Sequence, residues 1–337
     1  MIYSFALNKH ANIRYRDAVC RLSRYELQSM LKAMGVDASI TEEEAGGADF
    51  LSFDCRELSE AELNRLSHHS CVSFMAENVS GLLRPLSLQK SLYLPEDLPE
   101  VLKYKGKTSV PFTRMMIHMA HSVSSFANAP FPVTLMDPLC GRGTACFCAL
   151  MEGMNAIGLD TDQKALREAG DYFGRYLKYH QLKHAVSRRS ETVGRASLPV
   201  TEFVFADSRE HYQQGETRSL QLSCGDTALV PALVRRHPVH LMVADLPYGI
   251  QHAPQSGQKP ESFSQLLRRA IPAWKAALLP GGAMVLSFNT LTLPRHTVMS
   301  LLEEAQLVPL NDDSYSHLRH EVEQAVVRDV IFAVKKP

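Results

Sequence analysis

The chain has 337 residues, of which 45% are hydrophobic and 21% are charged, and its formal net charge is zero. This is an ordinary globular composition, and the length suggests two domains. A neutral chain has no overall attraction to nucleic acid, so a polyanionic partner would have to be bound by a local basic patch.

The sequence also argues against a membrane or metal protein. No apolar run approaches the length of a membrane span, and the N-terminal MIYSFALNKHANIRYR lacks the apolar centre of a signal peptide. The seven cysteines are scattered, and only Cys146 and Cys148 are close in sequence. We therefore expect reduced thiols, no metal site and a soluble, cytoplasmic protein.

Residues 1–81 combine strand-like runs with two helix starts. Ser23 and Ser59 are each followed three residues later by a glutamate, which is the pattern of a capping box. The first helix should stop at Gly35. The strand-like runs are IYSFAL, ASIT, DFLSFDC and CVSFMAENV. The order strand, helix, strand occurs twice and predicts a small ferredoxin-like α+β domain.

The remainder of the chain follows a different pattern. Residues 82–108 are interpreted as a linker, and residues 109–337 alternate apolar runs with helical stretches. This alternation predicts an α/β domain with a mostly parallel sheet and helices on both faces. The runs are VTLMD, NAIGLD, FVFAD, VHLMVAD and AMVLSF, and four of them end in aspartate. Ligands bind such sheets at the carboxyl ends of the strands.

A glycine turn follows the first of these runs, in the segment LMDPLCGRGTACF. Gly141 and Gly143 would allow the backbone to approach a ligand closely, and the following helix would direct its amides towards negative charge. Cys146 occupies the place of the third glycine of a dinucleotide fingerprint, which disfavours NAD.

Three aspartates accompany this turn. Asp137 precedes it, Asp160 ends the second run, and Asp207 ends the third. Asp160 could bind both hydroxyls of a ribose, and Asp207 could accept from an adenine amine. Each aspartate alone could instead be a helix cap or a partner of the turn amides. Their joint spacing on successive strands predicts one nucleoside pocket.

The segment VADLPYGIQ supplies the second half of the expected site. An exocyclic amine on a base is a poor nucleophile, because its lone pair is delocalised into the ring. The Asp245 carboxylate could accept one amine proton and the Leu246 carbonyl the other, which would direct the lone pair towards an electrophile. Pro247 would stiffen the turn. The Tyr248 ring could stack on an unpaired base, contributing roughly 1–3 kcal/mol.

These motifs resemble those of class I S-adenosylmethionine-dependent methyltransferases, and more narrowly of the tRNA guanine-N2 methyltransferases that modify guanosine-10. DPLCGRGT, GLDTD and ADLPYG are similar to the family motifs D-P-x-C-G-x-G-T, G-x-D-x-D and D-(P/L)-P-Y-G, and the likeness covers about residues 105–337. The resemblance implies a Rossmann-like fold, S-adenosylmethionine as cofactor and tRNA as substrate. It implies cofactor contacts for Asp137, Gly141, Gly143, Asp160 and Asp207, and catalysis by Asp245 with Tyr248.

The chain departs from that family in two respects. Family members usually carry a THUMP RNA-binding domain, and here the ferredoxin-like pattern leads almost directly into the linker. Leu246 stands where many members have proline, and only its carbonyl is needed. RNA phosphates could instead meet the basic segment Lys178–Arg195, or the arginines near the N-terminus. Both could also be solvated surface.

Two other methyl-acceptor classes and two other protein classes are the alternatives. The same tetrad, Asp245-Leu246-Pro247-Tyr248, would serve an adenine-N6 DNA methyltransferase or a glutamine-amide protein methyltransferase. The fold could also belong to a non-catalytic RNA-binding protein, although the intact Asp245 and Tyr248 disfavour it. An NAD-linked oxidoreductase would have no use for DLPY.

Overall fold

The computed structural model describes residues 1–8, 13–87, 90–104, 107–193, 196–234, 238–247, 262–323 and 325–337. Within these ranges, no helix is both long enough and apolar enough to cross a membrane. The same ranges contain no group of three His, Cys, Asp or Glu side chains that could hold a metal ion.

The N-terminal part is a five-stranded antiparallel sheet with two helices. Its elements are β1 (Ile2–Leu7), α1 (Ile13–Ala33), β2 (Ser39–Ala45), β3 (Ala48–Asp54), α2 (Glu60–Ser67), β4 (Val72–Val79) and β5 (Leu82–Pro85). The strand order is β2-β3-β1-β4-β5, and every neighbouring pair is antiparallel. The first four strands therefore have the predicted ferredoxin-like arrangement, and β5 extends it by a hairpin.

One of the two predicted helix starts is confirmed. The Ser59 side chain accepts from the N3 amide of α2 and the N3 glutamate reaches back, forming a complete capping box. The start at Ser23 is wrong, because α1 begins at Ile13 and Ser23 lies buried inside it. Glu26 contacts Ser70 and His118 in the protein interior, so it does not cap the helix. Gly35 follows the end of α1 with a φ of +67°, in keeping with a glycine stop.

The segment interpreted as a linker is packed against the main sheet's helices. It contains β5 and the short helix α3 (Leu98–Val101), and it leads into α4 (Val110–Val123). Leu94 and Leu98 are buried. The hydroxyl of Tyr172 donates to the Leu98 carbonyl at 2.6 Å, and the hydroxyl of Tyr176 donates to Asp97 at 2.7 Å. This segment is therefore part of the folded body.

The larger part is a mixed α/β sheet of ten strands. Its first elements are β6 (Thr134–Asp137), α5 (Thr144–Met151), β7 (Asn155–Asp160), α6 (Gln163–Tyr179), β8 (His184–Val193), β9 (Ala196–Phe205), α7 (Arg209–Gln214) and β10 (Arg218–Cys224). The later elements are α8 (Val230–Leu233), β11 (Val239–Asp245), α9 (Phe263–Ala277), β12 (Leu278–Asn289), α10 (Arg295–Glu304), β13 (Val308–Pro309), α11 (Asp313–Ser316), β14 (His320–Glu323) and β15 (Val326–Val334).

The order β13-β15-β12-β11-β6-β7-β10-β9-β8, with β14 paired to β15, has five parallel strands at its centre, from β12 to β10. Consecutive strand residues divide between two cores, so Leu241 packs with one cluster and Met242 with the other. Helices thus cover both faces of the sheet, and the larger part has the Rossmann-like α/β architecture that the resemblance implies.

Candidate functional site

Three of the four predicted aspartates meet at one edge of the sheet. Asp137 ends β6, Asp160 ends β7 and Asp245 ends β11, and these strands are neighbours in the order β11-β6-β7. All three strands are parallel, so their carboxyl ends lie on the same side. Neighbouring strands are about 4.8 Å apart, so the outer two carboxylates are separated by roughly 10 Å along the edge.

The glycine turn is held by the second of these aspartates. The amide of Gly141 donates to Asp160 Oδ2 at 2.7 Å, and the amide of Asp162 donates to Oδ1 at 2.8 Å. Gly141 and Gly143 have φ values of +50° and +82°, which favour glycine. A Cβ built at Gly141 would meet no atom within 4 Å, so this side of the turn faces open space. Each Asp160 oxygen retains a lone pair for a further donor.

Asp137 is the most unusual acid of the site. Its side chain is buried, and Oδ1 accepts from the amide of Leu139 at 3.1 Å. Burial raises the pKa of Asp137 to about 8, and the negative charges of Asp160 and Asp245 act in the same direction. A positively charged ligand would favour the ionised form. The site therefore suits a cationic group beside the glycine turn.

The tetrad begins at the end of β11. Asp245 is half-buried, and its Oδ2 accepts a hydrogen bond from the hydroxyl of Thr108. The amide of Leu246 donates to the Ser287 carbonyl of β12 at 2.8 Å, and the Leu246 side chain is buried in the core. Pro247 is half-buried. The backbone of the tetrad is thus anchored in the sheet up to this point, whereas the predicted Tyr248 lies outside the described residues.

Two residues of the supposed linker border this site, and the sequence analysis missed both. Thr108 bonds the tetrad carboxylate, and the hydroxyl of Tyr104 lies 2.7 Å from Thr144 Oγ1 at the start of α5. The Arg142 guanidinium lies 4.8 Å from the centre of the Tyr104 ring. Of the two, only Thr108 lies within the part of the chain that resembles the family, and no motif indicated Tyr104.

Asp207 does not join the other aspartates, so its predicted place is wrong. It follows β9, which runs antiparallel to β10 with Phe205 opposite Arg218 at the start of β10. Asp207 therefore lies beside the amino ends of the parallel strands, at the edge of the sheet opposite to Asp137, Asp160 and Asp245. Its Oδ1 is 2.6 Å from His211 Nδ1, and this contact raises the pKa of the histidine.

Asp226 lies at the expected position instead. It follows β10, whose last residue Cys224 pairs with Asp160. Its Oδ1 accepts from the amide of Ala228 at 2.8 Å and is 2.5 Å from the Arg269 guanidinium. The signal in the sequence was the run LQLSC followed by Gly-Asp, which is less conspicuous than FVFAD.

A scan against models of protein families matches none, and a search of curated protein sequences finds no match either. Among solved structures, the chain is similar to TrmN from Thermus thermophilus, with 15% identity, a TM-score of 0.41, and coverage of 88% of this chain and 60% of that one. It is also similar to the T. thermophilus 16S rRNA N2 G1207 methyltransferase (RsmC), solved with AdoMet and guanosine, with 12% identity, a TM-score of 0.39, and coverage of 89% and 58%.

A TehB-like SAM-dependent methyltransferase from Corynebacterium glutamicum matches with 16% identity and a TM-score of 0.36, over 62% of this chain and 84% of that one. The chain thus spans about 60% of the length of TrmN and of RsmC. At these identities, the similarity concerns the fold alone.

Proposed function

We propose that this protein transfers a methyl group from S-adenosylmethionine to an exocyclic amine of a nucleobase in RNA, specifically to N2 of a guanosine in tRNA. The observation that carries the proposal is the position of Asp245. Its carboxylate lies on the strand next to Asp137, at the edge that also bears Asp160, and Thr108 fixes one of its oxygens.

The residues at this edge fit the cofactor. S-adenosylmethionine carries positive charge on its sulfonium and its ammonium group, and it supplies an electrophilic methyl group when bound. Asp137 offers a buried carboxylate that a nearby cation would ionise. The turn with Gly141 and Gly143 leaves room for close approach, and Asp160 retains acceptor capacity for ribose hydroxyls. We assign the adenine contact to Asp226 in place of Asp207.

The tetrad acts on the amine. Asp245 accepts a hydrogen bond from one amine N–H and the Leu246 carbonyl accepts one from the other, so the nitrogen lone pair turns out of conjugation with the ring. Positioning of the two reactants supplies most of the rate in such a displacement. Thr108 contributes by keeping the Asp245 carboxylate in one orientation. We assign base stacking to Tyr248 on the motif alone.

The same tetrad would act on adenine N6 in DNA or on a glutamine amide. The ferredoxin-like sheet at the N-terminus favours RNA, because the family that the motifs resemble combines such a segment with a tRNA substrate.

Two variants and one product assay test the proposal. Asp160→Ala should weaken S-adenosylmethionine binding strongly in calorimetry, because it removes the acceptor of the Gly141 amide and the carboxylate that we assign to the ribose hydroxyls. Asp245→Ala should abolish methyl transfer and still bind the cofactor. Labelled cofactor is incubated with total RNA, DNA or protein, and nucleoside mass spectrometry should find N2-methylguanosine in tRNA. Binding of NAD but not of S-adenosylmethionine, or full activity of Asp245→Ala, would refute the proposal.

A further inference from the structure

A groove of about 1070 Å³ lies between α6 and the β-hairpin formed by β8 and β9. This hairpin is inserted between α6 and β10, and it extends the sheet beyond the five parallel strands. One end of the groove is lined by Gln163 and Cys224, which lie at the sheet edge that bears Asp160. The groove therefore begins beside the proposed cofactor site and leads away from it.

The groove is lined by exposed positive charges. Arg167, Arg175 and Lys178 project from α6, and Arg188 projects from β8. Asp171 is the one acidic residue among the groove's lining residues. Among the described parts of the chain, no acidic side chain lies within 4 Å of the charged groups of these four basic residues. Their charges are thus available to an external anion.

The other face of the same hairpin is built differently. Arg189, the next residue along β8, contacts Glu191 at 3.0 Å and Glu202 at 2.5 Å. Successive strand residues point to opposite faces, so Arg188 and Arg189 lie on opposite sides of the sheet. The hairpin therefore pairs Arg189 with carboxylates on one face and leaves Arg188 on the groove face without an acidic partner within 4 Å among the described residues.

We propose that this groove binds the sugar-phosphate backbone of the RNA substrate. The inference rests on the proposed function for the identity of the polyanion. Arginine and lysine side chains are the usual partners of phosphates, and such contacts position RNA without selecting its sequence. Phe203, the one Phe, Tyr or Trp side chain among the groove's lining residues, is only 4% exposed and offers no face for base stacking. The groove therefore binds backbone and not bases.

The dimensions allow one RNA strand to reach both sites. From β11, which bears Asp245, to β8, the sheet order includes five strand spacings. At about 4.8 Å each, these amount to roughly 24 Å. Stacked nucleotides rise about 3.4 Å each, so roughly seven nucleotides span this distance across the sheet. The basic groove thus supplies a local docking surface on a chain with no net positive charge.

The test compares two triple variants of equal charge. The groove variant is Arg175→Ala, Lys178→Ala and Arg188→Ala. The control variant, Arg209→Ala, Arg268→Ala and Lys336→Ala, removes three exposed basic side chains elsewhere. Binding of unfractionated tRNA is measured as a function of salt concentration. Three lost phosphate contacts should lower the slope of log K against log salt by about 2, with a roughly tenfold or larger loss of affinity at low salt. The control should match the wild type.

Kinetics separate the groove from the methyl-transfer site. The groove variant should raise KM for RNA and leave kcat and S-adenosylmethionine affinity unchanged. On RNA fragments with fewer than about seven nucleotides on the groove side, the two triple variants should behave alike. Equal tRNA affinity and equal salt slopes for the two triples would overturn the groove assignment, even if the protein methylates RNA. Loss of polyglutamate binding without loss of tRNA binding would overturn it in favour of an acidic protein partner.

The binding assay does not depend on methyl transfer. If no RNA is methylated and the groove variant still loses tRNA affinity and salt slope, the groove proposal stands and the methyl-transfer proposal fails. Thermal melting of both triples checks that each is folded, which is expected because all six side chains are exposed.

Discussion

Replacing Asp137 with asparagine should stabilise the protein and weaken its binding of S-adenosylmethionine. The carboxyl group is buried at the end of β6, and burial raises its pKa to about 8. Asparagine has nearly the same shape, and its side-chain oxygen can still accept from the Leu139 amide. The substitution therefore removes a titratable proton without leaving a cavity.

The sign and size of the effect follow from proton linkage. Between its ordinary pKa of 3.8 and about 8, the folded protein keeps a proton on Asp137 that the unfolded chain has lost. The free energy of unfolding therefore falls as pH rises through this window, by about 1.4 kcal/mol for each pH unit. At pH 7 the accumulated loss is roughly 4 kcal/mol, which is an upper limit on what Asp137→Asn can restore.

Urea denaturation between pH 5 and pH 9 measures this effect. The stability difference between Asp137→Asn and the wild type should grow with pH and become constant above about pH 8. Asp37→Asn, which replaces an exposed carboxylate, serves as the control and should show a small difference at every pH. In calorimetry, wild-type affinity for the cationic cofactor should rise with pH while that of Asp137→Asn should stay low. A stability difference that is the same from pH 5 to pH 8 would refute the reasoning.

Three further predictions concern the surroundings of the site. A Cβ at Gly158 would lie 2.8 Å from Cys140 Sγ and 3.1 Å from Leu222 Cδ2, so Gly158→Ala should displace the glycine turn and weaken cofactor binding in calorimetry. Cys140→Ala in the same chain removes the closer contact and should restore part of the affinity, and a double variant as weak as the single one would contradict this. Thr108→Val should lower kcat for methyl transfer about 10–100-fold with little change in KM, and Thr108→Ser should recover activity; an equal loss in the serine variant would argue against positioning by the hydroxyl. Glu152→Gln should lower the unfolding free energy by about 3–5 kcal/mol, because it leaves the buried Arg114 without its carboxylate partner. Urea titration measures this loss, and an unchanged urea midpoint would contradict the prediction.

The parts of the fold that could be predicted are those encoded by local pattern. The apolar runs NAIGLD and VHLMVAD coincide with β7 and β11 residue by residue. Each ends in an acid at the sheet edge where ligands bind, so Asp160 and Asp245 were correctly placed at one edge, on the two strands that flank β6. A buried parallel strand is recognisable alone, because both of its faces are apolar.

Strand direction is not encoded in the same way. FVFAD has the same appearance as the other runs, but it forms the end of β9, which returns antiparallel after the inserted β8. An apolar run that ends in an acid looks the same in either direction, so Asp207 was assigned to the wrong edge. Asp226 could have been chosen in place of Asp207 only if the β8–β9 hairpin had been recognised first.

Contacts across long sequence separations were also inaccessible. Thr108 and Asp245 are 137 residues apart, and nothing in the local pattern of either segment indicates that they meet. The prolines and lysines of residues 82–108 are typical of a linker, whereas the packing of Leu94, Leu98 and Tyr104 depends on contacts with α5 and α6. The glycine-turn motif and the tetrad motif locate the two ends of the candidate site. The residues between them, Tyr104 and Thr108, are brought there by tertiary packing.

The N-terminal part contacts α4, which follows Thr108, through a buried ionic cluster. Glu26 of α1 accepts from the amide of Ser70 at 2.9 Å and lies 2.6 Å from Nδ1 of His118 in α4. Burial alone would raise the pKa of Glu26, but His69 and His118 hold it down at about 2. A buried carboxylate that stays ionised requires its partners to remain in place. The N-terminal part therefore fixes α4, which begins two residues after Thr108, and so helps to hold the hydroxyl that positions the proposed catalytic carboxylate.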